Sequence, residues 1–500
     1  MASRLFSSLI FWPRWFWRQL TSMRTALFLL LLLAVAAIPG SLYPQRSADP
    51  NGVRFYYDEQ PETAAILDSL QLFDVYTSVW FSAIYILLFV SLVGCVVPRT
   101  KIHWHAVKAK PVKTPANLQR MAAYRVIEGT ELAAAEQVFK KLKFRFERQG
   151  NSISAEKGFL KETGNLVFHY ALIGVLIAVG LGGGYSFSGQ RVLVEKDSFT
   201  NVLSGYDSFS PGPFFDSNSL EPFSLTLDRF QVLYDLQNRA NIGQPIDFIA
   251  DVTLTEPTTA TEEIIRVNYP LEVPGANVYL TGNGFAPVIT LRDGDGNIAF
   301  SGPVVFLPQD GNMTSLGVIK APDALPEQIG IIAFFYPTAE QLTTGAYTSI
   351  YPDPLQPLLT MNVYTGDLGL DSGIPRNVYA LDVAQMDLVA GRDGPNPPLA
   401  LEIGDTVQLP NGLGSVSFDG LRRFASVDIA HNPGGVWVLL FAVLALVSVT
   451  MSLMVPRRRV WLKDLGDGKM ELAALARGDD PGLDQLLDDI QAQLKPTGSK

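Results

Sequence analysis

The residues of this sequence that could do chemistry are four histidines and one cysteine. His169 lies near the start of GNLVFHYALIGVLIAVGLGG, residues 164–183, which is apolar enough to cross a bilayer. At 1.5 Å rise per residue, its imidazole would lie roughly 7–8 Å inside that helix. Ionisable groups inside spans are rare and usually functional, and a neutral imidazole is a good ligand for haem iron. A functional role, for example as a ligand of haem iron, is one interpretation of His169; an interhelical hydrogen bond or a snorkelling ring is the alternative.

One histidine leaves the second axial position of a haem iron open. No other histidine lies inside a predicted span, so the second ligand would come from another chain or be weak. Two weaker candidates for haem binding are His431, in AHNPGGVW just outside the last apolar segment, and Cys95, near one end of the second. A loop histidine at the membrane interface and a small buried cysteine are the simpler interpretations.

The motif KIHWH contains His103 and His105 directly after an apolar segment. Spacing of i, i+2 would put both rings on one side of a strand, where they could hold a metal ion. An interfacial Trp104 flanked by basic groups is the simpler interpretation, and it is the one we adopt.

Asp293, Asp295 and Asn297 in RDGDGNIAF resemble the start of a calcium loop. The sixth and twelfth loop positions are Ile298 and Val304 instead of glycine and glutamate, so we predict a hairpin turn. The sequence has no phosphate-binding loop, nucleophile elbow, zinc-protease motif or dinucleotide fingerprint. We therefore predict no catalytic residues and no metal site, and the chain is not expected to be an enzyme by itself.

The elements that would position these residues follow from composition. The chain has 500 residues, of which 47% are hydrophobic and 18% charged, and its mean hydropathy is +0.17. These values indicate a membrane protein with a large water-exposed part. The net charge is −10, and no basic cluster is interleaved with aromatic residues away from the membrane flanks, so nucleic acid is not an expected partner. One cysteine excludes a disulfide framework or a CxxC pair within the chain.

Four segments are long and apolar enough to cross about 30 Å of hydrocarbon. Residues 98–163 carry 14 Lys/Arg against 6 Asp/Glu, whereas residues 185–434 carry 11 against 29. Because Lys and Arg are enriched in cytoplasmic loops, both termini are predicted to be cytoplasmic, in a multi-pass protein of the plasma membrane with its large domain on the outer face. The predicted segments are a cytoplasmic or interfacial N-terminus (1–24), a first span (25–43), an outer loop (44–78), a second span (79–97), a cytoplasmic α/β module (98–163), a third span (164–184), an extracytoplasmic β-rich domain (185–434), a fourth span (435–454) and a cytoplasmic tail (455–500).

The water-exposed segments have different patterns. In the α/β module, AAYRVIEG predicts a strand, ELAAAEQVFKKL a helix and FRFERQGNSISAEKG a hairpin that turns at Gly150-Asn151. The large domain contains short alternating runs separated by Gly, Pro, Asn and Asp, which predict a β-sandwich or distorted barrel. The acidic tail predicts one or two short helices, including the amphipathic LDQLLDDIQAQL. A solvated tail and a partner contact are both open, and we favour the solvated tail.

Several stretches together resemble the ResB family, the CcsB-type subunit of the system II cytochrome c maturation machinery. The first span with its flanks, TSMRTALFLLLLLAVAAIPGSLYPQ, resembles the opening segment of the family, and LFDVYTSVWFSAIYILLFVSLVGCVVPR resembles its second span. GNLVFHYALIGVLIAVG resembles the third span with its histidine, and HNPGGVWVLL the start of the last span. RVNYPLEVPGANVYLTGNG resembles the family's Asn-x-Pro-Leu…Gly…Tyr stretch, at Asn268, Pro270, Leu271, Gly275 and Tyr279. The order of these pieces, from about residue 20 to 460, is specific.

This resemblance implies work on haem without hydrolysis. Proteins of the family pair with a multi-spanning ResC/CcsA-type partner, and together they are thought to carry haem outward and present it to apocytochrome c. The haem is then joined covalently to reduced CxxCH thiols, so thiol-reducing partners fit this chemistry. By carry-over, His169 would be one axial ligand of non-covalently bound, transported haem, and the partner would supply the other. The chain would then be an accessory subunit of a haem-ligating complex.

Two other functions stay open at this point. A membrane electron-transfer protein would cycle the redox state of a haem at His169, but it would need a second ligand that this chain does not offer within a span. A scaffold or receptor without haem would bind its ligand in the β-rich domain, and His169 would be structural. The acidic bias of residues 185–434 would suit a basic apocytochrome through electrostatic steering.

Overall fold

A computed structural model describes residues 14–128, 130–236, 243–370 and 379–494. Residues 1–13 of the predicted cytoplasmic or interfacial N-terminus lie outside the described residues. The longer helices of the described part are α1 (Met23–Leu42), α2 (Pro50–Glu59), α3 (Pro61–Ser69), α4 (Val79–Lys108), α5 (Leu132–Lys141), α6 (Leu160–Tyr185), α7 (Gly435–Met454) and α8 (Leu483–Leu494).

The strands of the described part are numbered in chain order. They are β1 (Ala123–Glu128), β2 (Arg145–Gln149), β3 (Ser152–Lys157), β4 (Phe187–Val194), β5 (Ser198–Thr200), β6 (Ser208–Pro211), β7 (Ser224–Tyr234), β8 (Pro245–Thr255), β9 (Ala260–Arg266), β10 (Leu271–Val273), β11 (Ala276–Arg292), β12 (Ile298–Pro303), β13 (Leu307–Pro308), β14 (Ser315–Ala321), β15 (Ile329–Tyr336), β16 (Ala339–Gln341), β17 (Tyr347–Ser349), β18 (Leu358–Thr365), β19 (Asp387–Ala390), β20 (Leu399–Glu402), β21 (Thr406–Gln408), β22 (Ser415–His431), β23 (Arg458–Gly466) and β24 (Lys469–Ala476).

Four helices, α1, α4, α6 and α7, are long and apolar enough to cross a membrane. Together with the β-rich region they confirm the predicted class, a mixed membrane protein. The helix α4 does not end near residue 97, where its apolar part ends, but continues to Lys108 with Pro98 inside it. The chain divides into two compact units, residues 1–183 with 433–500, and residues 184–432.

Small residues let the helices α6 and α7 approach each other closely. A Cβ atom added at Gly164 would lie 2.7 Å from the carbonyl oxygen of Ser448, and one added at Gly174 would lie 2.6 Å from the ring of Phe441. Since lipid offers no hydrophobic drive for association, close backbone packing of this kind is what holds membrane helices together. Ser452 adds a hydrogen bond, donating through Oγ to the carbonyl of Lys161 at 2.8 Å.

The short helices α2 and α3 fill the segment between the first two apolar helices. Their small core includes Leu67 and the fully buried Phe73. The side chain of Gln45 bonds to three backbone groups there, one of them the N–H of Val75 at 3.0 Å. Arg46 bridges two aspartates of the same segment. This loop of residues 44–78 is therefore a folded helical subdomain.

A five-stranded antiparallel sheet with the order β1-β24-β23-β3-β2 forms a second part of the first unit. The hairpin β2–β3 turns at Gly150 and Asn151, as the sequence predicts. The structure differs from the prediction at the C-terminus, where a solvated tail was favoured. Residues 458–476 form the two strands β23 and β24, which join β1 to β3. We call these five strands with α5 and α8 the five-stranded module.

The physical reason for this difference is burial. The strands β1 and β3 do not pair with each other, so residues 98–163 alone would leave sheet edges open and an apolar face uncovered. The amphipathic helix α8 covers that face with Leu487 and Ile490, both fully buried. Trp461 and Leu118 pack on the opposite face. An amphipathic helix thus finds its partner within the chain, where local pattern alone left that open.

The second unit is built on two long antiparallel strands, β11 and β22, each of 17 residues. They pair along nearly their whole length, and bulges interrupt the register at Leu280/Gly282 and Val288/Ile289. At one half of this pair the four-stranded sheet β5-β7-β8-β9 encloses a core with Phe230 and Ile429. At the other half the sheet formed by β13, β14, β15, β18, β19 and β20 encloses a core with Phe335 and Phe418. This β-rich unit is sandwich-like at both halves.

The turn between β11 and β12 is the predicted hairpin. The buried carboxylate of Asp293 accepts hydrogen bonds from the backbone N–H groups of Asp295, Asn297 and Leu325. Desolvation is the largest single influence and raises the pKa of Asp293, but these hydrogen bonds together outweigh it and hold the pKa below its ordinary value. Its oxygens are thus used by the turn itself.

Candidate ligand cavity at His169

A cavity of about 560 Å³ lies beside His169 in the first unit. This volume falls in the range of ligand pockets, roughly 300–1,000 Å³. Its wall combines α4, α6, the end of α7 and the five-stranded module. The lining residues are Val96, Arg99, Ile102, His103, Ala106, Lys161, Glu162, Asn165, Leu166, His169, Ser452, Arg457, Arg459 and Arg477.

Two helix faces form the long walls of this cavity. The lining residues of α4 and of α6 recur at spacings of three, four and seven, which places each set on one face of its helix. The helices are antiparallel there: the hydroxyls of Thr100 and Tyr170 are 2.8 Å apart, and His103 contacts Thr163. Val96 therefore lies at the His169 end, and Lys161 lies at the opposite end, which the five-stranded module closes.

The imidazole of His169 is held in one tautomer. Its Nδ1 lies 2.7 Å from the backbone carbonyl oxygen of Asn165, one turn earlier in α6. A carbonyl can only accept, so Nδ1 carries the hydrogen, and Nε2 of the neutral ring carries the lone pair. Backbone anchoring of the second ring nitrogen is the usual way in which proteins orient a metal-ligating histidine. The ring is half-buried and lines the cavity.

The opposite end of the cavity is rich in arginine. Arg457, directly after α7, is buried and bonds to Glu156 of β3 at 2.8 Å and to Glu162 of α6 at 3.2 Å. Its guanidinium carbon also lies 3.2 Å from the ring centre of Phe159. Burial lowers the pKa of Arg457, because desolvation outweighs the nearby carboxylates. This network ties α6, α7 and the five-stranded module together beside the cavity.

Positive charge exceeds negative charge at this end. Arg477 shares Glu162 with Arg457, at 2.7 Å, and is itself exposed. Arg459 lies 3.7 Å from Glu156, too far for a hydrogen bond. Lys161 donates to the carbonyl of Arg477 at 3.3 Å. Four cationic side chains, Lys161, Arg457, Arg459 and Arg477, and one carboxylate, Glu162, line this end of the cavity, which favours an anionic ligand.

The structure changes the interpretation of the motif KIHWH. His103 and His105 lie on the helix α4 and not on a strand, so i, i+2 spacing turns the rings to different sides. His103 lines the cavity, and its Nε2 lies 3.0 Å from Oγ1 of Thr163. The Thr163 hydroxyl donates to the carbonyl of Phe159, so the ring nitrogen is the donor. The sequence analysis did not predict that His103 lines the cavity, because it did not extend the second helix beyond its apolar segment.

The two weaker candidates lie elsewhere. The Cys95 thiol lies 2.9 Å from the carbonyl oxygen of Thr21 and so packs the second apolar helix against the start of the first. The cavity wall includes its neighbour Val96 but not Cys95. His431 ends β22, where Nδ1 donates to the carbonyl of Gly275 at 2.6 Å and the ring stacks on Phe187.

Four apolar helices, with a β-rich unit between the third and fourth, define the class of this chain as a polytopic membrane protein. The ResB-like family model matches residues 23–488. The chain belongs to the ResB-like family.

Several cytochrome c biogenesis proteins are similar to part of this chain. The cytochrome c biogenesis protein CcsB of Prochlorococcus marinus (strain MIT 9301) is 26% identical over 308 residues, covering 59% of this chain and 66% of the relative. The cytochrome c biogenesis protein CcsB of Microcystis aeruginosa is 25% identical over 293 residues, 55% of this chain and 62% of the relative. The cytochrome c biogenesis protein Ccs1 of Porphyra purpurea is 27% identical over 280 residues, 54% and 61%. The chain thus spans less than two thirds of the length of these relatives.

Proposed function

We propose that this chain is a subunit of cytochrome c maturation that binds haem through His169 and passes it outward, together with a ResC/CcsA-type partner, to apocytochrome c. Haem is the transported substrate and is bound non-covalently. The observation that carries the proposal is the His169 imidazole, with its Nδ1 anchored at 2.7 Å and its ring on the wall of a cavity with a cationic far end.

The cavity fits the chemistry of haem at both ends. Haem has an apolar macrocycle around the iron and two anionic propionates on one edge. Val96 and Leu166 supply apolar surface near the imidazole, and the arginines at the far end supply positive charge. Since one histidine provides one axial ligand, the partner would provide the other. A cytochrome c biogenesis role of the relatives supports the same proposal.

Orientation also supports it. The excess of Lys and Arg in residues 98–163 predicts that the five-stranded module and both termini lie on the cytoplasmic side of the plasma membrane. The cavity would then open where haem arrives from the cytoplasm, and the acidic β-rich unit would face the apocytochrome on the outer side. If steering draws a basic apocytochrome to that unit, their association rate should fall steeply with salt; a rate independent of salt would contradict steering.

The test is the haem spectrum of the full chain, purified with a co-expressed ResC/CcsA-type protein, as wild type and as His169→Ala. We expect the variant to contain at least about tenfold less haem than wild type. Removing even a group that only supports a metal ligand lowers metal affinity roughly 10–100-fold. Added imidazole should restore the axial ligand field. The control is His105→Ala, on α4 but outside the cavity wall, which should keep its haem.

The alternatives make different predictions. If His169→Ala keeps its haem spectrum and cytochrome c still matures, His169 is a packing residue and the haem-binding proposal is wrong. A membrane electron-transfer protein would hold haem stably without a partner and respond to respiratory substrates. A scaffold without haem would show no His169-dependent spectrum under any condition.

A further inference from the structure

We propose that Lys161 and Arg459 bind the two propionates of the haem and so fix its orientation, with the iron toward His169. This inference rests on the proposed function and adds a second group of residues that contact the haem. It assigns a carboxylate-binding role to two cations at the end of the cavity opposite His169.

Lys161 and Arg459 form no ion pair at hydrogen-bond distance among the described residues, unlike the neighbouring Arg457 and Arg477. Arg457 and Arg477 both bond to Glu162 at hydrogen-bond distance. In the part of the chain that the structure describes, Lys161 donates a hydrogen bond to a backbone carbonyl and interacts with Asp480 only at longer range, and Arg459 is 3.7 Å from its nearest carboxylate oxygen. A side-chain cation without a close carboxylate can form the charge-assisted hydrogen bonds that a ligand carboxylate accepts.

The spacing along α6 suits one ligand that contacts both ends. Lys161 precedes His169 by eight residues, which is about 12 Å along the axis at 1.5 Å per residue. Helix side chains lean toward the N-terminus, and the His169 ring does so by bonding to Asn165. Because both side chains lean the same way, their separation stays near this value. It suits a ligand whose macrocycle lies at His169 and whose carboxylates are reached by the flexible Lys161 side chain. Arg99 does not join this set, because it lies at the His169 end and its guanidinium bonds to the sulfur of Met23.

The burial of Arg457 explains why the cations at this end favour a ligand. Its Nε has no hydrogen-bond partner although the side chain is buried. Two carboxylates, Glu156 and Glu162, are shared among Arg145, Arg457, Arg459 and Arg477. The cluster therefore keeps an excess of positive charge in a partly desolvated place, which two added carboxylates would neutralise.

The experiment compares zinc protoporphyrin IX with its dimethyl ester on the full chain in nanodiscs of zwitterionic phosphatidylcholine. Zinc porphyrin accepts a single axial ligand, so the missing second ligand does not limit binding, and fluorescence reports the affinity. We expect Lys161→Gln and Arg459→Gln each to weaken the free acid about tenfold, the loss of one charge-assisted contact. The ester should change less than twofold, because it has no carboxylate to lose.

Comparing each variant with wild type for both porphyrins removes differences in their lipid partitioning, as in a double-mutant cycle. Lys101→Gln on α4 and Arg120→Gln are the matched controls, exposed cations outside the cavity wall, and should change neither affinity. Arg459→Lys keeps the charge and should retain most of the affinity, which separates binding from folding. Repeating the series with anionic phosphatidylglycerol tests the competing role, contact with lipid phosphates.

Each outcome decides something. Equal weakening of acid and ester would overturn the propionate contact while leaving haem at His169 intact. A variant effect that appears only with anionic lipid would assign these cations to headgroups and overturn the inference. Absence of any His169-dependent porphyrin binding would overturn the proposed function itself.

Discussion

Two histidines of this chain are anchored alike but surrounded differently. His169 and His431 each donate Nδ1 to a backbone carbonyl, at 2.7 and 2.6 Å. The surroundings of His169 come from three apolar helices, the strand β23, and Arg457 and Arg477, which lie just before β23 and just after β24. Those of His431 come from the end of β22, from Phe187 on the paired strand β4, and from Gly275 in the turn before β11.

This difference teaches that an oriented imidazole is not by itself a ligand site. Both imidazole rings are anchored to a backbone carbonyl. What distinguishes His169 is that it lines a cavity whose other end is positively charged. That cavity borders the ion network of Arg457, whereas the His431 contacts come from the pairing of β22 with β4 and from the turn before β11. The comparison therefore predicts unequal sensitivity to mutation.

The largest effect is expected for Arg457→Ala. Removing this guanidinium leaves Glu156, which is only 3% exposed, without its most buried partner. Breaking a buried ion pair costs about 3–5 kcal/mol. We expect that loss in the five-stranded module, measured by hydrogen exchange of β3 and β23 amides in the full chain, together with weaker zinc porphyrin binding.

The β4–β22 pair in the β-rich unit serves as the internal reference and should keep its protection. Arg477→Ala, which removes an exposed partner of Glu162, should cost less than about 1 kcal/mol. Equal loss of protection in both units after Arg457→Ala would remove the contrast between the two histidine sites.

A smaller effect is expected for Asp480→Asn, which tests how the last segment is attached to the module. Arg458 donates to both Asp480 oxygens, at 2.6 and 2.8 Å, and Asp480 also accepts from the N–H of Gly482 before α8. Loss of such charge-assisted bonds costs about 1.5–3 kcal/mol. Hydrogen exchange of β23 and α8 in the full chain measures it.

The same bond predicts a pH dependence. The hydrogen bond from Arg458 holds the pKa of Asp480 below its ordinary value of 3.8. A lowered folded pKa contributes stability that is present above the ordinary value and is lost as the pH falls through the folded value. Wild type and Asp480→Asn should therefore differ at pH 7 and converge in acid, below about pH 4. The exposed neighbour variant Asp479→Asn should show no such convergence; a pH-independent difference would contradict this account.

The smallest effect is expected for His431. The variant His431→Ala loses one hydrogen bond to Gly275, worth about 0.5–1.5 kcal/mol in the β-rich unit. His431→Phe keeps the stacking on Phe187 and should lose less. Porphyrin affinity should stay within twofold in both variants. A tenfold loss of porphyrin would instead support the weaker prediction that His431 binds haem, and the comparison would fail.

Local patterns of the sequence predicted a large part of this molecule. Runs of about 20 apolar residues require helices wherever there is no water for the backbone, and the four helices are present. The hairpins at Gly150-Asn151 and at Asp293 follow from turn chemistry that acts over a few residues. The single histidine inside an apolar segment marked the candidate site in a similar way, because the free-energy cost of an ionisable group in a span follows from the apolar residues around it.

Tertiary structure alone decided what surrounds that histidine. No local pattern predicts that residues 458–476 form two strands of a sheet that begins more than 300 residues earlier, because the pattern of a strand does not determine which strands it pairs with. Nor does it say that α4 continues until His103 reaches the cavity, or that Arg457 lies between two glutamates. The sequence by itself determined the four spans and the one histidine that lies inside them. The cationic end of the cavity exists only because distant segments bury their apolar faces and charges together.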